Sequence, residues 1–243
     1  MIPGAFLIAG GLAGLYCGPA PDPGAIWTRW NLDPLLLAAL AALALTLARS
    51  RAGAAAVAVL AVAFVSPLCA LSAALFSARV VHHLLLVAVA APLIALAWPA
   101  QSPRVATPLL VLATGVLWAW HLPQAYDAAM ADKGVYWVMQ ATLLASATAF
   151  WRAVLAPGQP AGQAGLLILG AYMQMGLLGA LLTFAPDPLY EIHRQAPLAW
   201  GFTALADQQL GGIIMWVPAG IPYAALGALV ALRGWRQLQG RPT

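Results

Sequence analysis

Charge is the scarcest property of this sequence. Only 7% of its 243 residues are Asp, Glu, Lys or Arg, against 63% hydrophobic, whereas a water-facing surface needs several times that charge. A soluble domain is thereby excluded. The net charge of +4 does not point to nucleic acid, because the positive residues are single arginines at the ends of apolar runs and read as topology signals. Cysteine is equally rare: Cys17 and Cys69 are too few and too separated for a disulfide framework or a CxxC metal site, and Cys69 reads as a small buried apolar residue. Missing too are a phosphate-binding glycine loop, since Gly10, Gly11 and Gly14 precede no basic residue, an HExxH motif, and a Ser or Cys beside a base at a recognised spacing. No enzyme is expected. The short alternating segments of a membrane barrel are absent as well.

What the sequence has is long apolar runs rich in Leu, Ala and Gly. They predict an all-α, polytopic transmembrane helix bundle of about seven spans, near 34–48, 52–76, 80–98, 104–120, 135–154, 163–184 and 208–232, each set against a hydrocarbon layer of about 30 Å. Residues 1–33 form an N-terminal apolar and extracytoplasmic segment, 34–232 the bundle, and 233–243 a cytoplasmic tail. The apolar residues 1–16 have no basic n-region and no clear cleavage site, which leaves a remnant signal, a short eighth span or an apolar plug. Trp27 and Trp30 look like an interfacial belt. Pro92, Pro218 and Pro222 interrupt helices but do not sit in matching halves, as an inverted-repeat transporter requires.

With the N-terminal side of the first span outside, Arg49, Arg51, Arg104, Arg152, Arg233, Arg236 and Arg241 fall in the cytoplasm, leaving Arg29, Arg79, Lys133 and Arg194 outside. That bias follows the positive-inside rule. All four histidines then lie at the outer face: His82 and His83 open the third span, His121 closes the fourth, and His193 occupies the 185–207 loop. The longer loops, 121–134 and 185–207, are on the same side. An ionisable group inside a membrane segment is a functional hypothesis by default. Near these histidines stand Asp207, Gln208, Tyr126 and Met215. Imidazole suits copper, iron and zinc, and thioether adds a preference for Cu(I), so a His/Met collection points to copper before magnesium or calcium. Adjacent helical residues point about 100° apart, so only one of His82 and His83 faces the bundle interior squarely.

Three stretches carry a family likeness: Ser77-Ala-Arg-Val-Val-His82-His83 running to Pro92, Trp118-Ala-Trp-His121-Leu-Pro-Gln-Ala-Tyr126, and Asp207-Gln-Gln-Leu-Gly-Gly-Ile-Ile-Met215-Trp216-Val-Pro218. In order and spacing they resemble the CtaG family of cytochrome c oxidase assembly factors, the polytopic family linked to caa-type oxidases. The family's third-span pattern is His-x-x-Gln-His followed by leucines and Ala-Pro. Here the last histidine matches His83, His82 stands at the glutamine position and Arg79 at the first histidine position. The departure favours His83 over His82 and removes one imidazole.

The resemblance implies a membrane assembly factor for a haem–copper cytochrome c oxidase in the bacterial cytoplasmic membrane, handling copper at the periplasmic face. Its partners would be oxidase subunits, other copper chaperones and membrane lipid, with no nucleic acid. The expected metal ligands are His83, His121, His193 and Met215, supported by His82, Asp207, Gln208 and Tyr126; Asp207 would orient an imidazole or cap the last span. Two rivals stand beside this. One is a haem-binding redox protein with His83 and His121 as axial ligands, and the other is a scaffold whose histidines are satisfied by the protein itself.

Overall fold

A computed structural model describes residues 16–100 and 106–240, in which helices and turns occur and no strand. The expectation for the N-terminal apolar run lies outside the described residues, apart from Tyr16. The helices are α1 (Pro34–Leu47), α2 (Arg51–Phe64), α3 (Pro67–Ala74), α4 (Phe76–Ala97), α5 (Ala106–Trp120), α6 (Pro123–Ala131), α7 (Lys133–Val154), α8 (Ala161–Phe184), α9 (Ala204–Trp216) and α10 (Gly220–Leu238). Their starts are written locally. Asp33, Ser50 and Ser66 cap α1, α2 and α3 by accepting N–H bonds from Leu35, Gly53 and Leu68, and Pro34 and Pro67 occupy first-turn positions where a missing N–H costs nothing.

Three helical stretches are long and apolar enough to cross a membrane on their own: Phe76–Ala97, Ala161–Phe184 and the joined α9–α10 rod Ala204–Leu238. Counting α2–α3, bent by 47°, and α5–α6, bent by 73°, as single broken spans gives five. The seven spans expected from the sequence are therefore not all supported. At 14 residues α1 rises only about 21 Å, short of the hydrocarbon thickness, and α7 has the length but not the apolarity. Two boundaries also move. Residues expected in the 121–134 loop form α6, because Pro123 opens a new helix after the bend, and α10 continues through Leu238 where a tail was expected.

The central helix is α4, 61% buried over its span against 39% for α8 and 22% for α9–α10. It contains a π-helical turn over Leu85–Ala90, in which Ala91 N–H donates to Leu86 O. The carbonyl next in that register, on Val87, faces Pro92, which has no N–H to give. The Trp151 indole supplies the bond instead at 2.9 Å, so a buried carbonyl is not left unpaired. At the α9–α10 junction the Gly220 N–H turns to Val217 O, and the Tyr172 hydroxyl pairs the Trp216 carbonyl instead, donating at 2.8 Å.

One expectation about cysteine is overturned. Cys17 and Cys69 form a disulfide across 52 residues of sequence, and it ties the N-terminal segment to α3. Tyr16 beside it stacks on Tyr136 at 5.1 Å and donates to Asp33 at 2.8 Å, while Asn31 N–H donates to Val65 O at 2.9 Å. Spacing could not reveal the pairing, since it depends on how the segment folds back over α2–α3. Closing a loop of this length is worth about 2–4 kcal/mol. Reduction, or Cys17→Ser, is expected to lower the melting temperature in detergent, and equal melting with and without reductant would contradict the clamp.

Candidate functional site

The histidine end is organised by a carboxylate. Leu75 is extended (φ −120°, ψ 130°) and separates α3 from α4, so the first N–H groups of α4 lack helical acceptors where Phe76 and Ser77 are buried. Asp207, in the first turn of α9, provides them. It accepts from Phe76 N–H at 2.6 Å, Ser77 N–H at 3.2 Å and the Ser77 hydroxyl at 2.5 Å. A negative group at a helix N-terminus is also favoured by the helix dipole. Asp207 therefore caps a neighbouring helix. It touches no imidazole, and its own helix is capped by Thr203, which accepts from Ala206 N–H at 3.1 Å.

This reach is possible because α9 lies against both α4 and α8 through glycines. A Cβ on Gly212 would stand 2.5 Å from the Gly179 carbonyl, and one on Gly211 would stand 2.7 Å from the Phe76 ring. Small residues at such crossings let backbones approach closely. Two turns along, α9 presents Met215 to the interior.

Met215 lines a cavity of about 10 Å³ together with His83, His121 and Met175, closed by Val80, Leu84, Val87 and Leu117. That volume is about what one water or one ion occupies. The His83 and His121 rings are 6.4 Å apart centre to centre. A metal–nitrogen bond of about 2.0–2.1 Å added to roughly 1.1 Å from ring centre to nitrogen lets two imidazoles share an ion up to about 6.4 Å apart when both nitrogens are collinear with it, so these rings stand at that limit and would have to close in to admit two further donors. His121 sits at the α5–α6 bend, and its Nδ1–H donates to Leu117 O at 2.7 Å. That bond fixes the tautomer and leaves the lone pair on Nε2. His83 Nε2 meets the Gln140 amide at 3.4 Å.

His193 is not part of this group. Its Nδ1 donates to Ala74 O at 3.4 Å and its Nε2 accepts from the Tyr126 hydroxyl at 2.7 Å, so both nitrogens are engaged. Burial, helped by the Arg79 charge and opposed by the Ala74 bond, pushes its pKa down to about 3. Tyr126 serves His193 and no metal position. Gln208 holds a loop, accepting from Leu189 N–H at 2.7 Å and donating to the Leu182 and Asp187 carbonyls at 3.4 Å. His82 is fully buried with neither ring nitrogen paired, its ring set edge-on to Phe64 at 4.8 Å. Arg79 is buried too; it donates to the Tyr136 hydroxyl at 3.4 Å and lies over that ring, while its Nε and second terminal nitrogen have no partner. Among the described residues, no three His, Cys, Asp or Glu side chains converge closely enough to hold a metal. The expected three-imidazole cluster is thus replaced by two imidazoles and two thioethers.

A model of the cytochrome c oxidase caa3 assembly factor family, Caa3_CtaG, matches residues 101–237, more than half of the chain. The protein belongs to the CtaG family. Neither a curated protein nor a solved structure matches it. The CtaG match takes in His121, Met175, His193, Asp207 and Met215 but stops short of α4, so His83 rests on geometry and on its own local motif.

In this CtaG protein Met175 lines the cavity and Gln140 meets His83, and neither was among the expected ligands. Met175 lies in a Met173-Gln174-Met175 run; helical phase separates the two methionines by about 200°, and only Met175 is buried, at 2% against 58% exposed for Met173. For Asp207, replacing the carboxylate by the isosteric amide removes a charged acceptor from three donors. Asp207→Asn is expected to destabilise the protein by about 2–3 kcal/mol, read as a lowered melting temperature. An unchanged melting curve would contradict the cross-helix cap.

Proposed function

We propose that this CtaG-family protein takes up one Cu(I) ion between His83, His121, Met175 and Met215 and passes it to a haem–copper cytochrome c oxidase during assembly, with no catalytic turnover. The observation that carries the reading is that His83, His121, Met175 and Met215 all line one ion-sized, otherwise apolar cavity. Soft thioethers favour Cu(I) over harder ions. All four donors are neutral, so the ion's charge is not cancelled, and desolvating a divalent ion there costs more than a monovalent one. Arg79, one helical turn before His83, raises that cost again and keeps binding weak enough for release to a partner.

The arginine bias of the opposite end and the disulfide beside the histidines both support a periplasmic orientation of the site, since disulfides persist in oxidising compartments. Partners on that side are the oxidase subunits and other copper chaperones. The haem reading is disfavoured by space. His83 and His121 are separated suitably for axial ligands, but the space of about 10 Å³ that they line leaves no room for a macrocycle.

Titration of the purified protein with Cu(I) against a chromophoric competitor is expected to give one equivalent bound. His83→Ala with His121→Ala should weaken binding by more than about a hundredfold, beyond the loss typical of an outer-sphere partner. Unchanged copper content in the double variant would sink the proposal. A Soret band in the extracted protein would support haem instead.

A further inference from the structure

The opposite end of the bundle carries a second arrangement that copper handling does not use. Between the α7–α8 turn and α10 lies a cavity of about 270 Å³ whose wall includes Gln159, Ala161, Arg233 and Gln237. Its one charged group is the Arg233 guanidinium, which shares the wall with the Gln237 amide and with the last turn of α7 at Val154 and Leu155. Arg233 forms no ion pair and no hydrogen bond among the described residues, where Arg194–Glu191 is the one ion pair. The 24-residue α8 begins at Ala161 on the cavity wall with no side-chain cap at its N-terminus, so its first N–H groups are free. All the acidic residues belong to the histidine end or its loops, and none lines this cavity. A guanidinium and an uncapped helix N-terminus around a space without carboxylates suit an anion.

What distinguishes a lipid from a free anion is the surface next to it. A more open groove of about 470 Å³ shares Ala161, Gly234 and Gln237 with the cavity and continues along Ala231, Trp235 and Leu238. Trp235 and Leu238 are 61% and 85% exposed on its rim. An exposed indole beside arginines is the side-chain pattern of a membrane–water interface. At Gly234 α10 touches the start of α8: a Cβ there would stand 2.6 Å from the Ala161 Cβ, so the absent side chain keeps cavity and groove shaped as they are.

We propose that this end binds an anionic phospholipid, its phosphate held by Arg233 and the first turn of α8, and one acyl chain laid along the groove beside Trp235 and Leu238. Basic pockets between membrane helices recognise lipid headgroups by this chemistry. The site is independent of the copper reading and stands or falls separately.

The test is native mass spectrometry of the full chain in detergent, with added phosphatidylglycerol, phosphatidylcholine or inorganic phosphate. The expected result is a one-to-one phosphatidylglycerol adduct, weakened about tenfold or more in Arg233→Gln, weakened also in Gly234→Leu, and unchanged in the control Arg49→Gln at the same end. Phosphatidylcholine and inorganic phosphate should bind more weakly. An intact Cys17–Cys69 disulfide and unchanged helical circular dichroism in each variant show that folding is retained. Equal retention of phosphatidylglycerol by Arg233→Gln and wild type overturns the site. An equal loss in Arg49→Gln reduces it to general charge, and inorganic phosphate binding as tightly as lipid makes it a free-anion site; either outcome overturns the proposal.

Discussion

The carboxylate of Asp207 is the contact on which the histidine end depends. α4 has to start inside the protein, because Leu75 breaks the chain between two buried helices, and a buried helix start with unpaired N–H groups is costly. Asp207 removes that cost from another helix, and in doing so it couples the axial position of α9 to that of α4. Met215 and His83 sit two turns farther along their respective helices, so one capping contact sets both in register across the cavity. The glycines of α9 allow the approach, and the capping bonds determine where it stops.

A second constraint acts from outside. The disulfide and the Tyr16–Tyr136 stack press the N-terminal segment onto α2, α3 and α7. Tyr136 in turn receives the Arg79 guanidinium, so the covalent clamp is one side chain away from the buried charge beside the histidines. Cavity, cap and clamp occupy one end. The arginines, the uncapped start of α8 and the groove at Trp235 occupy the other.

Much of this was legible in the residues. Apolar runs announced the helices, and His83, His121 and Met215 stood out as metal-binding types inside them. Helix number was less legible, because hydropathy does not distinguish a straight span from the bent α5–α6 pair or the short α1. Partner choice was hidden wherever it joined distant residues: Asp207 reaches Phe76 131 positions away, and the cysteines meet only after the N-terminal segment folds back. His193 misled because a histidine in a loop near other histidines looks the same in sequence whether its nitrogens are free or, as here, both bonded.

The central claim is that two imidazoles and two thioethers share one ion. X-ray absorption at the copper edge of the Cu(I)-loaded protein tests it most directly. The expected result is a mixed shell, with nitrogen at about 2.0 Å and sulfur at about 2.3 Å. A shell of nitrogen and oxygen alone would contradict it.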